Sequence, residues 1–371
     1  MTQIVFGSRV RKSPFFDATI TGGVTAFSIY NHMFMPVSYG DPIGEYERVK
    51  TGVSMWDVGA ERQVEIVGPD ATTVAQLVSA RRLTDLTVGR ARYAPMCGYD
   101  GCLINDPIAL RLDENRWWLS IADSDMVHWV KGIAGAGGHE AQVFEPDVSP
   151  LAIQGPKADD VARTLFGDEL VDSLGFFHHR AVELDGIPLV ICRSGWSRQG
   201  GVELFLTDST HGQALWGLVM HAGAPYGIAP GTPHQMERIE NGLLSYASDT
   251  DPDTDPIEAG LGAYVNLDGD FDFIGKQALI ARHADPATRR RLVNVTLDGE
   301  MPNPEHPWEA LSGGTNIGQV RTATYSPKLD RNVGLALVSV AYAEAGTSFD
   351  VDADGTTLTA TVMDVPFGTS L

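Results

Sequence analysis

Two short runs, Gly68-Pro-Asp-Ala71 and Gly155-Pro-Lys-Ala158, do most to limit the folds open to this chain. Each ends a strand pattern and opens a helix pattern. Gln63-Val-Glu-Ile-Val67 alternates as a half-buried strand does, and Val148 to Gln154 gives the second strand. Asp70 is placed to cap a helix through Ala71 to Ser79, and the second helix runs to Phe166. The order that follows also recurs. The first half predicts strands near Ala91 to Met96, Cys102 to Leu112 and Trp117 to Ile121, then a helix from Ser124 to Ile133. The second predicts strands at Arg180 to Leu184, Pro188 to Cys192 and Val202 to Leu206, then a helix at His211 to Ala222. The pattern is a duplicated α+β unit, with helices layered on a sheet to bury one face of each.

At 371 residues the chain exceeds the usual single domain. After Ala281-Arg-His-Ala-Asp-Pro the composition shifts to short strands and turns: Leu292 to Leu297, Thr315 to Thr324, Asn332 to Val340 and Thr357 to Val362. The predicted organisation is an α+β body of two units, 1–140 and 141–284, followed by a C-terminal all-β, barrel-like domain, 285–371. Asp249, Asp251, Asp253 and Asp255 alternate in a strongly acidic loop without the glycine and terminal glutamate of a calcium-binding hand, so a solvated loop is expected there.

A formal charge of −21 argues against nucleic acid, which needs a basic footprint. No run of 18 apolar residues is present, so no membrane span is expected. The N-terminus lacks the charge, apolar and cleavage regions of a signal peptide, which predicts a cytoplasmic protein. Cys97, Cys102 and Cys192 are too few for a disulfide framework, and no further Cys or His pair completes a zinc set. They read as structural thiols, with no metal.

The chemistry-bearing segment is Arg193-Ser-Gly-Trp-Ser-Arg-Gln-Gly-Gly-Val-Glu203, a glycine-rich turn between two strands. It fixes one acid, Glu203, beside backbone that can approach a ligand closely. A carboxylate at a strand mouth suits a flat heterocycle with paired N–H donors, such as a pterin. Asp106 lies at the edge of an apolar strand, where Pro107 cannot donate to a ladder. Trp196, inside a polar turn, is badly placed for a core and offers an aromatic face to a cation.

Four segments together carry a resemblance: the turn just quoted, Arg92-Tyr-Ala-Pro-Met-Cys-Gly-Tyr-Asp-Gly-Cys-Leu-Ile-Asn-Asp106, Leu151-Ala-Ile-Gln-Gly-Pro-Lys-Ala158, and Arg238-Ile-Glu-Asn-Gly-Leu243 with Pro256-Ile-Glu-Ala-Gly-Leu261. In this order they resemble the folate-binding aminomethyltransferase family, best known from the glycine-cleavage T-protein, from about Tyr30 to Val365. Arg9 to Phe16, Val24 to Met35 and Trp56-Asp-Val-Gly-Ala-Glu-Arg-Gln-Val-Glu65 look closest to its dimethylsulfoniopropionate demethylase branch.

The resemblance implies that Asp106 is catalytic, near N5 of tetrahydrofolate, although Asn105 stands where the T-protein usually has a second aspartate. It implies folate contacts for Glu203, at the pterin edge, and for Tyr93 and Ser120. Arg238 is expected to meet the folate or orient its own helix. Trp196, Phe177, His178 and Tyr30 are expected to build an aromatic wall for a methylated onium substrate. The implied activity is methyl transfer from a sulfonium to tetrahydrofolate, with no metal, flavin or nicotinamide. The expected partner is a small molecule, not nucleic acid or membrane, and a homodimer is left open. One alternative is an aminomethyltransferase acting on a lipoyl carrier protein; another is a non-catalytic folate-binding assembly factor. Gly132-Ile-Ala-Gly-Ala-Gly-Gly138 follows a helix, so it is not a dinucleotide loop, and Gly195-Trp-Ser-Arg-Gln lacks the second glycine of a nucleophile elbow.

Overall fold

The computed structural model describes residues 6–285 and 289–363. The chain divides into two compact units. The first takes the residues up to Val74, Asp85–Arg92 and Ile108–His234; the second takes Ala75–Thr84, Tyr93–Pro107 and the residues from Gln235 onward.

The first unit holds two sheets with the same strand order. One runs β10 (Gln142–Phe144), β4 (Gln63–Val67), β9 (Arg116–Ser120), β8 (Ile108–Asp113), β5 (Arg90–Tyr93). The other runs β15 (Ala229–Gly231), β3 (Ser54–Asp57), β11 (Ser149–Gln154), β14 (Gly201–Leu206), β13 (Ile187–Cys192), β12 (His179–Leu184). With β4 matched to β11, the orders coincide, except that β3 is inserted beside β11. The duplication therefore exists in space, and β3, which precedes β4 in the chain, sits in the sheet of the second copy. Alternation splits the faces of β14. Val202, Leu204 and Leu206 enter a core with Val161, Leu215 and Val219 of the covering helices. Phe205 joins Trp118, Leu110 and Val190, where the two sheets meet.

The two glycines of the repeated signature have the same job. Gly68 has φ +136° and Gly155 has φ +125°. A Cβ on Gly68 would lie 2.4 Å from the Glu140 carbonyl oxygen, and one on Gly155 would lie 2.5 Å from that of Gly52. Neither neighbour can yield without moving backbone. Gly155→Ala should therefore destabilise the protein by about 3 kcal/mol or more, combining clash with left-handed strain. A thermal melt within a degree or two of the native chain's would refute this.

In the second unit, β16 (Arg290–Asp298), β19 (Arg331–Ser339), β18 (Thr315–Ser326), β17 (Trp308–Ser312), β20 (Ser348–Ala353) and β21 (Thr356–Val362) close into a six-stranded antiparallel barrel. Trp308, Phe349, Val351 and Leu358 help fill it. Two small hairpins complete the strands: β1 (Ala26–Tyr30) with β2 (Met33–Ser38), and β6 (Met96–Cys97) with β7 (Leu103–Asn105).

Two predicted strands are broken. Ala91 to Met96 stops at Tyr93 and resumes at Met96; Cys102 to Leu112 stops at Asn105 and resumes at Ile108. Pro95 and Pro107 stand in the gaps, each lacking the N–H that would continue a ladder. The chain leaves the first unit at Arg92 and re-enters it at Ile108. Asp106 lies on that excursion.

The acidic loop is solvated only in part, with Asp253 exposed. Asp249, Thr250 and Asp255 are buried. Arg238 Nη1 and Nη2 donate to the Asp249 carboxylate at 2.7 and 3.2 Å, and Thr322 Oγ1 donates to it at 2.8 Å. Arg290 holds Asp251 in a two-point pair at 2.6 and 3.1 Å, and His283 Nε2 lies 2.9 Å from Asp255. Asp249, Asp251 and Asp255 are countercharged by Arg238, Arg290 and Arg282, and Arg290 of β16 and Thr322 of β18 tie this loop to the barrel strands. No spacing rule reveals that.

Candidate functional site

In the second unit, Asp106 follows β7 and is partly buried. Tyr93 Oη donates to Asp106 Oδ2 at 2.6 Å. Burial pushes the Asp106 carboxyl up from 3.8 to about 7; the Tyr93 hydrogen bond opposes this, and the nearby Asp249 charge adds to it. The same burial and the Asp106 charge push the Tyr93 phenol well above its usual value, so it remains a donor. Tyr264 meets the Tyr93 ring edge to face, with centroids 5.1 Å apart, and the Arg81 guanidinium lies 5.0 Å from the Tyr264 centroid. Arg81 Nη1 also donates to the Tyr93 carbonyl at 3.2 Å. Tyr93 is therefore fixed from both ends. An acid titrating near neutrality, with a rigid phenol beside it, can accept and return a proton at working pH.

Arg238, on the helix Gln235–Glu240, is only 2% exposed. Its guanidinium donates to Asp249, to Gln235 Oε1 at 2.7 Å and to the Leu243 carbonyl at 3.3 Å. Of its two expected roles, this geometry favours orienting the helix.

In the first unit, Glu203 lies on β14, opposite Ala152 on one side and Cys192 on the other. Alternation puts it on the face of Phe205, away from the helix-covered core. It is 9% exposed, and burial pushes its carboxyl up against the hydrogen bond donated by Ser194 Oγ. The glycine turn leading to it is rigidly built. Gly201 has φ +148°, and a Cβ there would lie 2.2 Å from the Ile153 carbonyl oxygen. Gln154, buried at the end of β11, accepts from Ser197 Oγ at 2.7 Å and donates to the Ser194 carbonyl at 3.2 Å. Arg193, at the stem, donates to both oxygens of Asp159 at 2.8 and 3.0 Å.

Phe177 and His178 flank that stem. The Phe177 N–H donates to the Arg193 carbonyl at 2.9 Å, and the Arg193 N–H donates to that of His178 at 3.0 Å. Phe177 holds a left-handed φ of +56° and stacks on the exposed Phe176, with centroids 4.2 Å apart. Burial, with help from Arg90, holds His178 below its ordinary value, favouring the neutral ring. Trp196 is half-buried within the turn. Tyr30 ends β1, at a two-residue turn whose Asn31 and His32 both have positive φ. Ser120 ends β9, where its hydroxyl accepts from Gln63 Nε2 at 2.9 Å.

Sequence reasoning passed over Ser194, Gln154, Tyr264 and Asp249. The first two lie inside the quoted motifs, as polar residues bounding apolar strands; Tyr264 carries no local signal, and Asp249 shows only as one of four alternating acids. Burial pushes the Cys97 thiol to about 12 and the Cys102 thiol to about 11, so both stay protonated. Among the described residues no helix is long and apolar enough to cross a membrane.

This architecture has a counterpart among solved structures. A crystal structure of the glycine cleavage system aminomethyltransferase T from Bartonella henselae matches it with a TM-score of 0.85, covering 97% of this chain and 98% of that one at 23% identity. The family model of the GCVT N-terminal domain matches residues 15–269, and that of the glycine cleavage T-protein C-terminal barrel domain matches 290–368. A dimethylsulfoniopropionate demethylase from Ruegeria pomeroyi is 38% identical over 95% of this chain and 96% of its own. An aminomethyltransferase from Symbiobacterium thermophilum is 33% identical over 90% and 91%. The chain belongs to the folate-binding aminomethyltransferase family, whose members are tetrahydrofolate-dependent transferases.

Proposed function

We propose that this chain moves a methyl group from a small sulfonium acid, of the dimethylsulfoniopropionate type, to N5 of tetrahydrofolate. The observation that carries the reading is Trp196 within the rigid turn that presents Glu203, with Phe177 and His178 bonded to its stem. A sulfonium offers no N–H donor, so its recognition depends on aromatic faces. The greater identity to the demethylase than to the aminomethyltransferase supports the same reading.

The residues suit the folate. Glu203 offers an acceptor in a poorly solvated position, matched to the paired N–H donors along a pterin edge. Bound tetrahydrofolate supplies the nucleophilic nitrogen that accepts the methyl. Asp106, whose carboxylate Tyr93 holds in place, is the acid suited to take up the displaced proton. The sulfonium departs as a neutral thioether, so no residue need act as an acid toward the leaving group. Alignment and charge placement carry the rate.

Glu203→Gln should weaken tetrahydrofolate binding by about 10–100-fold while changing the rate at saturation far less. Unaltered affinity, measured by fluorescence titration, would remove Glu203 from the site. The activity itself is tested by incubating the protein with tetrahydrofolate and a panel of methylated sulfonium and ammonium acids, then assaying 5-methyltetrahydrofolate by mass. The identity to aminomethyltransferases favours a second reading, methylene transfer from a lipoyl carrier protein. Methylenetetrahydrofolate formed only with that carrier would select it.

A further inference from the structure

A cavity of about 590 Å³ in the first unit is lined by none of the residues assigned above. Its wall sets Arg11, Lys12 and Arg62 against Glu145 and Asp147, an excess of positive charge in a chain of formal charge −21. A positive concavity on an otherwise acidic protein concentrates small anions.

The two arginines share one carboxylate. Arg11 Nη1 donates to Glu145 Oε1 at 2.9 Å, and Arg62 Nη2 donates to Oε2. Burial alone would raise the Glu145 carboxyl, but the hydrogen bonds from Arg62 and Arg11 outweigh it and hold it below its usual range. This sharing does not exhaust the donors. Arg11 Nη2 and Arg62 Nε are buried and have no partner among the described residues. A guanidinium N–H withdrawn from water without an acceptor is unfavourable, and planar oxyanions match its fork. The Ser13 hydroxyl is spent on Asp57 Oδ2 at 2.5 Å, which leaves Ser149 as the buried hydroxyl on this wall. Met33 and Pro146 add apolar surface, and the volume suits a metabolite-sized ligand.

We propose that this cavity binds a small organic anion, a carboxylate or a phosphate monoester, on the guanidinium groups of Arg11 and Arg62. The site uses none of the folate or onium residues, so it stands or falls apart from the proposed activity.

The test is calorimetric titration of the whole protein with propionate and with methyl phosphate at constant ionic strength. One saturable site is expected for at least one probe, and the tighter probe identifies the class. Arg62→Gln and Arg11→Gln should each weaken it about tenfold. Glu145→Gln, which frees both guanidiniums, should tighten it severalfold. Lys12→Gln changes an exposed side chain and cannot unfold the protein; it should weaken binding by a smaller factor. Tetrahydrofolate affinity should stay unchanged in every variant. Absence of saturation with both probes, or equal binding by native protein and all four variants, overturns the proposal.

Discussion

Asp106→Asn should lose most of the turnover and yet melt at a higher temperature than the native chain at mildly alkaline pH. The first effect follows from removing the proton acceptor, which is worth about 10²–10⁴ in rate. Folate affinity should change little, because the amide oxygen still accepts from Tyr93. The second effect follows from linkage. Asp106 titrates near 3.8 when unfolded and near 7 when folded. Its proton-linked stability is complete below 3.8 and is lost as pH rises through about 7, above which a poorly solvated charge burdens the native state. The neutral amide removes that burden, a gain of about 1–3 kcal/mol after allowing for relaxation around the site. Native turnover should climb as pH passes 7 and then level. Melting curves for the two proteins that coincide at every pH would show that Asp106 is not strained, and a flat rate profile would remove it as the base.

Arg238→Met should be among the most damaging single changes in the second unit. It leaves Asp249 buried with its two-point partner gone, which costs about 3–5 kcal/mol in comparable pairs. Replacing both residues, as in Arg238→Met with Asp249→Leu, should recover much of the loss, because no orphaned charge remains. The single change should also move the pH midpoint of turnover upward, since the bare Asp249 charge acts on Asp106. Arg238→Lys separates the two expected roles. If the residue orients its helix, a folded lysine variant keeps tetrahydrofolate affinity within about threefold. A large affinity loss in a stable lysine variant would instead mean direct contact with the folate.

Both predictions concern residues whose position was legible and whose environment was not. The motif around Asp106 marks the acid, and Pro107 marks a strand edge, although the strand predicted through it is divided in the structure. What sets its proton affinity is burial, Tyr93 and an aspartate 143 positions further on. The acidic loop shows the same limit more sharply. Four alternating aspartates read as solvated because local composition says nothing of Arg238, Arg290 or Thr322. Ser194 was in plain view inside the glycine turn, but only the pairing of β13 with β14 makes it the donor to Glu203.

The sequence by itself determined the repeated strand–turn–helix order, the all-β end of the chain, the glycines that permit the bends and the family. Apolar periodicity, missing N–H groups and left-handed φ are properties of a few adjacent residues, so they can be read along a line. The tertiary structure decided that β3 joins the sheet of the other copy, that Asp249 and Asp255 of the acidic loop are buried and countercharged, and that Asp106 and Glu203 hold their protons more tightly than free carboxylates. Desolvation and charge are sums over everything nearby in space, and most of those neighbours are far away in the chain.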